Sequence, residues 1–267
     1  MKNFNPLVSA AALALISLPS QAELISRQGG KMLYDPFTNI TWLADANSFR
    51  SQFLQDPNLV RKITAAVPTV TAYQGTFNVG YEDFANPYAP DLIGLMTWVG
   101  AKAWVDYLNI GGREDWRLPE VHRPCDGIYC ALDNEYPWLM SFELGGQPNQ
   151  PITEMHDADY NKFQNIQSAW YWAGTENPLP GGGYSAWGYN TQFNSQTTSP
   201  LYYEPNYGPN RWYYGYAMAV VERDIGELPA VPLPGAAWLF LGGLMSLLGY
   251  CRGCSGLHQS AEIAGRL

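Results

Sequence analysis

Residues 97–109 hold the clearest helical pattern: Trp98, Ala101, Val105 and Leu108 recur at spacings of 3, 4 and 3 and share one face. Thr97 stands where an N-cap is needed, and Gly111-Gly112 stops the helix. Elsewhere the strand signal dominates. Residues 31–34 and 40–43 are β-prone runs around Asp35-Pro36-Phe37-Thr38-Asn39, which predicts a hairpin. Segments 168–175, 185–193 and 211–223 are aromatic-rich, separated by Gly/Pro loops, and read as strands. In the last, Trp212, Tyr214, Tyr216, Met218 and Val220 alternate onto one face, with Gly215, Ala217 and Ala219 opposite, so another layer can pack close. Residues 115–120 (DWRLPE) read as a strand ending at Pro119, and 137–144 as a second short helix closed by Gly145-Gly146. Segment 48–95, broken by Pro57, Pro68, Pro87 and Pro90, reads as loops and short elements. The expected fold class is α+β, with antiparallel strands and one or two short helices.

Two apolar runs interrupt this pattern. Residues 7–18 follow Lys2 and precede Ser20-Gln21-Ala22, which sets small residues where a signal peptidase reads; 1–22 is expected to be a secretory signal peptide. Residues 232–250 carry no charge and suffice for a short transmembrane helix, with Trp238 and Tyr250 as interfacial anchors and Arg252 marking the cytoplasmic side. The expected organisation is a signal peptide at 1–22, an exported domain at 23–226, a linker at 227–232, a transmembrane sorting segment at 233–252 and a cytoplasmic tail at 253–267.

Composition narrows the function. Hydrophobic residues make up 46% of the 267 and charged residues 15%, which excludes intrinsic disorder. Ten Trp and 18 Tyr beside 26 Gly and 20 Pro favour a loop-rich, β-containing domain over a helix bundle. The net charge is −9, and residues 23–230 hold all but one of the 24 acidic residues. Such a surface lacks the Lys and Arg that nucleic acid requires and repels polyanions; neutral sugars and cations remain as partners. Cys125 and Cys130 stand close together in the exported part, with Gly127 between them, and are expected to form a disulfide. Cys251 and Cys254, followed by His258, offer three metal ligands beyond the anchor, the alternative being a discarded tail. His122 and His156 belong to no catalytic motif. His156-Asp157-Ala158-Asp159 offers carboxylates to a cation, a solvated acidic loop being the plainer reading. No cofactor or metal is expected.

The tail from Val231 to Arg252, with Val231, Pro232, Leu233 and Pro234 at its head, resembles the VPLPA subtype of the PEP-CTERM sorting signal. It departs at Gly235 and in its single Arg252 where several arginines are usual. The resemblance implies an exosortase-type sorting enzyme as partner, transient anchoring in the inner membrane, then the cell envelope or the exterior. YDPFTNITWLADAN, MTWVGAKAWVDYLNIGGREDWRLPE, NIQSAWYWAGTE, AWGYNTQF and the YAMAVVERD ending resemble, in that order, the Lcl C-terminal domain family of secreted bacterial proteins. That resemblance covers roughly 30–225, departs at Val221-Glu222-Arg223-Asp224, and carries extra residues between Asn47 and Met96. It implies a fold related to C-type-lectin-like domains, and glycan binding in some members.

Within DWRLPE, Trp116 is expected in the core, Arg117 on a carboxylate such as Asp115 or Glu176, and Pro119 at the strand end. Asp133, Glu135, Glu143, Glu154, Asp157 and Asp159 supply carboxylates for glycoside chemistry, but no spacing sets a pair at working distance and no nucleophile–base motif occurs. The expected function is therefore a non-catalytic, polysaccharide-associated binding module of the envelope or extracellular matrix, with Trp187, Tyr189 and Trp212 as ligand-binding residues. A glycan-active enzyme and a purely structural component are the alternatives. Gln147-Pro148-Asn149 and Glu204-Pro205-Asn206 look like the sugar tripeptides of C-type lectins, without the WND partner.

Overall fold

The predicted hairpin forms: β2 (Met32–Asp35) and β3 (Ile40–Leu43) pair antiparallel, Met32 opposite Leu43 and Asp35 opposite Ile40. β1 (Ile25–Arg27) flanks it on one side and β9 (Val220–Glu222), from the far end of the domain, on the other. The computed structural model describes residues 23–73, 75–85, 93–121, 134–178, 184–200 and 213–226. The chain divides into two units, Met1–Gly226 and Glu227–Leu267, and all described residues belong to the first. The signal peptide, Cys125 and Cys130, His122, Trp212, residues 204–206, the sorting residues Val231, Pro232, Leu233 and Pro234, and segments 233–252 and 253–267 lie outside the described residues. Among the described residues no helix is long and apolar enough to cross a membrane.

The fold is mixed α+β with antiparallel sheets. A second sheet joins β4 (Thr69–Ala72) to β5 (Gly75–Asn78). A third has β7 (Tyr184–Asn190) between β6 (Trp170–Pro178) and β8 (Ser195–Pro200), antiparallel to both, with a bulge between Trp172 and Glu176. Residues 215–222 stitch these parts together. Gly215 bridges Met96, Tyr216 bridges Tyr171 of β6, and Val220 bridges Arg117.

Alternation along this segment explains its composition. Tyr216, Met218 and Val220 enter one core cluster, with Leu33 and Trp42 of the hairpin; Ala217, Ala219 and Val221 enter the other, with Met32 and Leu43. Both faces are buried, and the small face admits the helical layer, as its composition predicts. Gly215 and Gly188 share one reason for being glycine: a Cβ on either would run into the Trp170 ring.

Thr97 caps α3 (Trp98–Tyr107), its Oγ1 accepting from Gly100 N at 3.1 Å and donating to buried Asp83 Oδ1 at 2.5 Å. The apolar face of α3 is wider than the predicted stripe. Val99, Gly100, Ala103 and Trp104 are buried as well, which makes this the central helix.

Two helices stand in the stretch read as loops: α1 (Ser48–Gln55) and α2 (Leu59–Ala66). Pro57 lies between them and Pro68 after the second, so the prolines punctuate helices rather than exclude them. The predicted strand at 115–120 reduces to one bridge at Arg117, although Trp116 and Leu118 are buried as expected. Arg117 takes neither expected partner. Its guanidinium grips Glu135 two-pronged, at 2.8 and 2.7 Å, and Glu135 also accepts from Glu120 N at 2.7 Å. Asp115 is held by Arg113, and Glu176 accepts from Tyr73 N.

Candidate functional site

Glu135–Pro137 forms a short helical turn that passes into a π-helix at Trp138–Glu143, close to the predicted second helix. π-Helical turns are rare and often sit at functional positions. Here the wider turn presents Trp138 at its start and Glu143 at its end to the same neighbour, the tip of the β2–β3 hairpin.

That tip is built by Asp35. Its carboxylate is buried and accepts from Phe37 N at 2.8 Å, Thr38 N at 3.3 Å and Thr38 Oγ1 at 2.6 Å, an Asx-type turn. Tyr34 OH donates to Asn39 Oδ1 at 3.0 Å, and Asn39 takes the left-handed φ of 58° that ends the turn. The turn fixes Phe37, 57% exposed, with its ring parallel to buried Trp138: centroids 4.1 Å apart, planes 6° apart. Trp138 stacks in turn on Phe142 at 4.9 Å and 14°. Phe37 is thus an aromatic ring in water with a rigid backing.

Beneath this stack lies Glu143, 4% exposed. Among the described residues neither its Oε2 nor the Trp138 indole N–H makes a well-formed hydrogen bond, although the indole lies close enough to the carboxyl to favour its charged form. Burial, then the charges of Asp35 and Asp159, push the Glu143 carboxyl up to about 8; the nearby indole opposes the rise and Asp157 adds to it. Near neutral pH this group is therefore a buried, uncharged carboxylic acid. Asp157 reaches the site because its N–H donates to Leu144 O at 2.9 Å, and its Oδ1 accepts from Asp159 N at 2.9 Å. Lys162 Nζ lies 3.0 Å from Asp159 Oδ1. His156 stacks on Tyr160, ring centroids 3.9 Å apart.

Residues 157–159 enter a 3-10 turn (Ala158–Lys162), and among the described residues no three His, Cys, Asp or Glu side chains are grouped to hold a metal ion. Tyr189 is not a ligand platform. It is 2% exposed and stacks on Tyr136 at 6.0 Å, and burial pushes its phenol up to about 12. Trp187, two residues earlier on the same strand face, is half-buried against the same cluster. The 147–149 tripeptide is a buttressed loop: Asn194 Nδ2 donates to Gln147 O at 2.9 Å and Gln150 O at 3.0 Å, and Asn149 N donates to Phe193 O at 2.8 Å.

The structure brings Glu143, Asp157 and Asp159 together and adds Asp35 and Phe37, which the sequence shows only as turn residues. The Asp-x-Phe-Thr spacing signals the turn; nothing local signals that Trp138 lies under it. Chemically, the site offers an outward apolar ring above a sealed acid. Comparison with family models, with curated proteins and with solved structures finds no match.

Proposed function

We propose that this is an exported, surface-sorted protein of the cell envelope or extracellular matrix, and that residues 23–226 are a non-catalytic, polysaccharide-associated binding module. Phe37 carries the reading: an exposed ring, fixed by the Asp35 turn and backed by Trp138. A partner that covers such a ring removes apolar surface from water. The C–H face of a pyranose fits, because its C–H groups meet the negative face of the ring. Phe37 over Trp138 takes the place of buried Tyr189 in the binding set. The carboxylates of Asp35, Asp157 and Asp159 close by favour a neutral or weakly charged glycan over a sulfated one.

The signal-like start, the VPLPA-type tail with its exosortase-type partner and membrane segment at 233–252, and the motif resemblance to the Lcl C-terminal domain family support the location. A C-type-lectin-like form of the fold is supported by those motifs and by the closure of the N-terminal hairpin by β9. Glu143 bears on the enzyme alternative, since a carboxyl that keeps its proton near neutrality resembles a general acid. Its sealed Oε2 cannot reach a glycosidic oxygen, which favours binding over hydrolysis. The test is co-sedimentation of the mature protein with polysaccharide extracted from the producing cells' own matrix. Retention on the neutral fraction that added salt does not reverse supports the proposal. Release of reducing ends would point to an enzyme, and no retention on any fraction to a structural component.

A further inference from the structure

Leu24 is 2% exposed and belongs to the second core cluster, so the chain is seated in the fold from the second residue after Ala22. Its N–H donates to Asp159 Oδ2 at 3.2 Å, and its carbonyl O accepts from Lys162 Nζ at 2.8 Å. Lys162 also lies 2.8 Å from Glu23 Oε1 and 3.0 Å from Asp159 Oδ1. One ammonium thus serves two carboxylates here. Asp157 and the buried Glu143, whose Oε2 has no partner among the described residues, lie beside them. The cluster carries more negative than positive charge, and the chain start passes directly over it.

Covalent geometry limits where the Glu23 nitrogen can be. Successive backbone nitrogens lie about 3–4 Å apart, so it sits within about 7 Å of Asp159 Oδ2. Cleavage after Ala22 changes the chemistry of that nitrogen. One water adds across the Ala22–Glu23 amide; the hydroxyl stays with the Ala22 carboxyl group, and the Glu23 nitrogen takes the proton. The resulting amine picks up a second proton from solvent and is an ammonium at neutral pH.

We propose that signal-peptide removal creates the ligand for a site the domain already holds: the new α-ammonium of Glu23 seats on the Asp157 and Asp159 carboxylates. With Lys162, it clamps the chain leading into β1 to the Ala158–Lys162 turn. The inference rests on the export reading for the position of the cut and is independent of glycan binding. An uncleaved chain has a neutral amide at this point, so processing itself stabilises the exported form.

The test compares four forms of the protein: the chain beginning at Glu23 and its Asp159→Asn variant, each with and without Nα-acetylation. Acetylation should lower Tm by roughly 2–4 °C at low ionic strength, the loss should shrink in high salt, and in Asp159→Asn acetylation should have a clearly smaller effect, because only the Asp157 carboxylate is left to hold the ammonium. Because Asp159 also holds Leu24 N, Asp157→Asn serves in its place if that variant does not fold. N-terminal sequencing of the exported protein completes the experiment. A start at any residue other than Glu23 overturns the inference and leaves export standing. A start at Glu23 with a Tm indifferent to acetylation overturns the ion pair and leaves the cleavage position standing.

Discussion

Replacing Glu143 by glutamine should stabilise the protein above neutral pH and leave it unchanged in acid. Glutamine keeps the shape of the carboxyl and copies its uncharged form. The folded protein holds the proton of Glu143 up to about 8, against an ordinary value of 4.5. A group raised in the folded state contributes stability that is fully present below its unfolded value and is lost as pH rises through the folded one. The window therefore runs from about pH 4.5 to about pH 8. At about 1.4 kcal/mol per unit, the whole shift is worth at most about 5 kcal/mol. Relaxation and water entry on ionisation soften the burial penalty, and salt weakens the charges of Asp159 and Asp157, so about 2–3 kcal/mol is the expected yield. Urea denaturation followed by tryptophan fluorescence, at intervals between pH 4 and 9, gives the difference between the two proteins directly. Other titrating groups cancel in that difference. The curves should coincide near pH 4 and separate steadily, with Glu143→Gln the more stable by about 2–3 kcal/mol near pH 9. Parallel curves, or a glutamine variant that is less stable at alkaline pH, would refute the assignment of Glu143 as a buried neutral acid.

Arg117→Lys should destabilise the fold by about 2–3 kcal/mol in thermal or urea unfolding, because a single ammonium cannot reproduce the two-pronged bond to Glu135. Gly188→Ala should cost about 3 kcal/mol or more, since the new Cβ meets both the Trp170 ring and the Tyr171 carbonyl; a change within experimental error would show that β6 and β7 are less tightly packed than described.

Elements whose signal is local were legible in the sequence. Thr97 and the apolar face from Trp98 to Leu108 define a helix by themselves, and the runs on either side of Asp35–Asn39 define a hairpin. The alternation around Met218 gave the right faces, although only Val220–Glu222 of the strand expected at 211–223 is strand, because extended backbone sends successive side chains to opposite sides. Local signals misled where two applied at once. Pro57 and Pro68 end helices as readily as they break them, and α1 and α2 were hidden behind that ambiguity. Tyr189 is aromatic and near glycines, like a surface platform; its burial depends on Tyr136, more than 50 positions away in the chain. The same holds for Arg117, whose partner Glu135 is one of several nearby carboxylates, and for Glu143. Its charge state is set first by its burial and then by Asp35, Asp159 and Asp157, which lie on other elements. Pairings across distant segments leave no mark on either segment alone. The site is therefore less legible than the fold.

Polysaccharide binding through the hairpin tip is the central claim, and calorimetric titration of the neutral matrix polysaccharide into the wild-type protein and into Phe37→Ala tests it most directly. Phe37 is 57% exposed but stacks on buried Trp138, so its removal should cost about 1–2 kcal/mol and leave the fold intact. Against that intact fold, binding measurable in the wild type should weaken at least about tenfold, the loss of about 1.4 kcal/mol expected when a stacking ring is removed. Equal affinity in the two proteins would contradict the account.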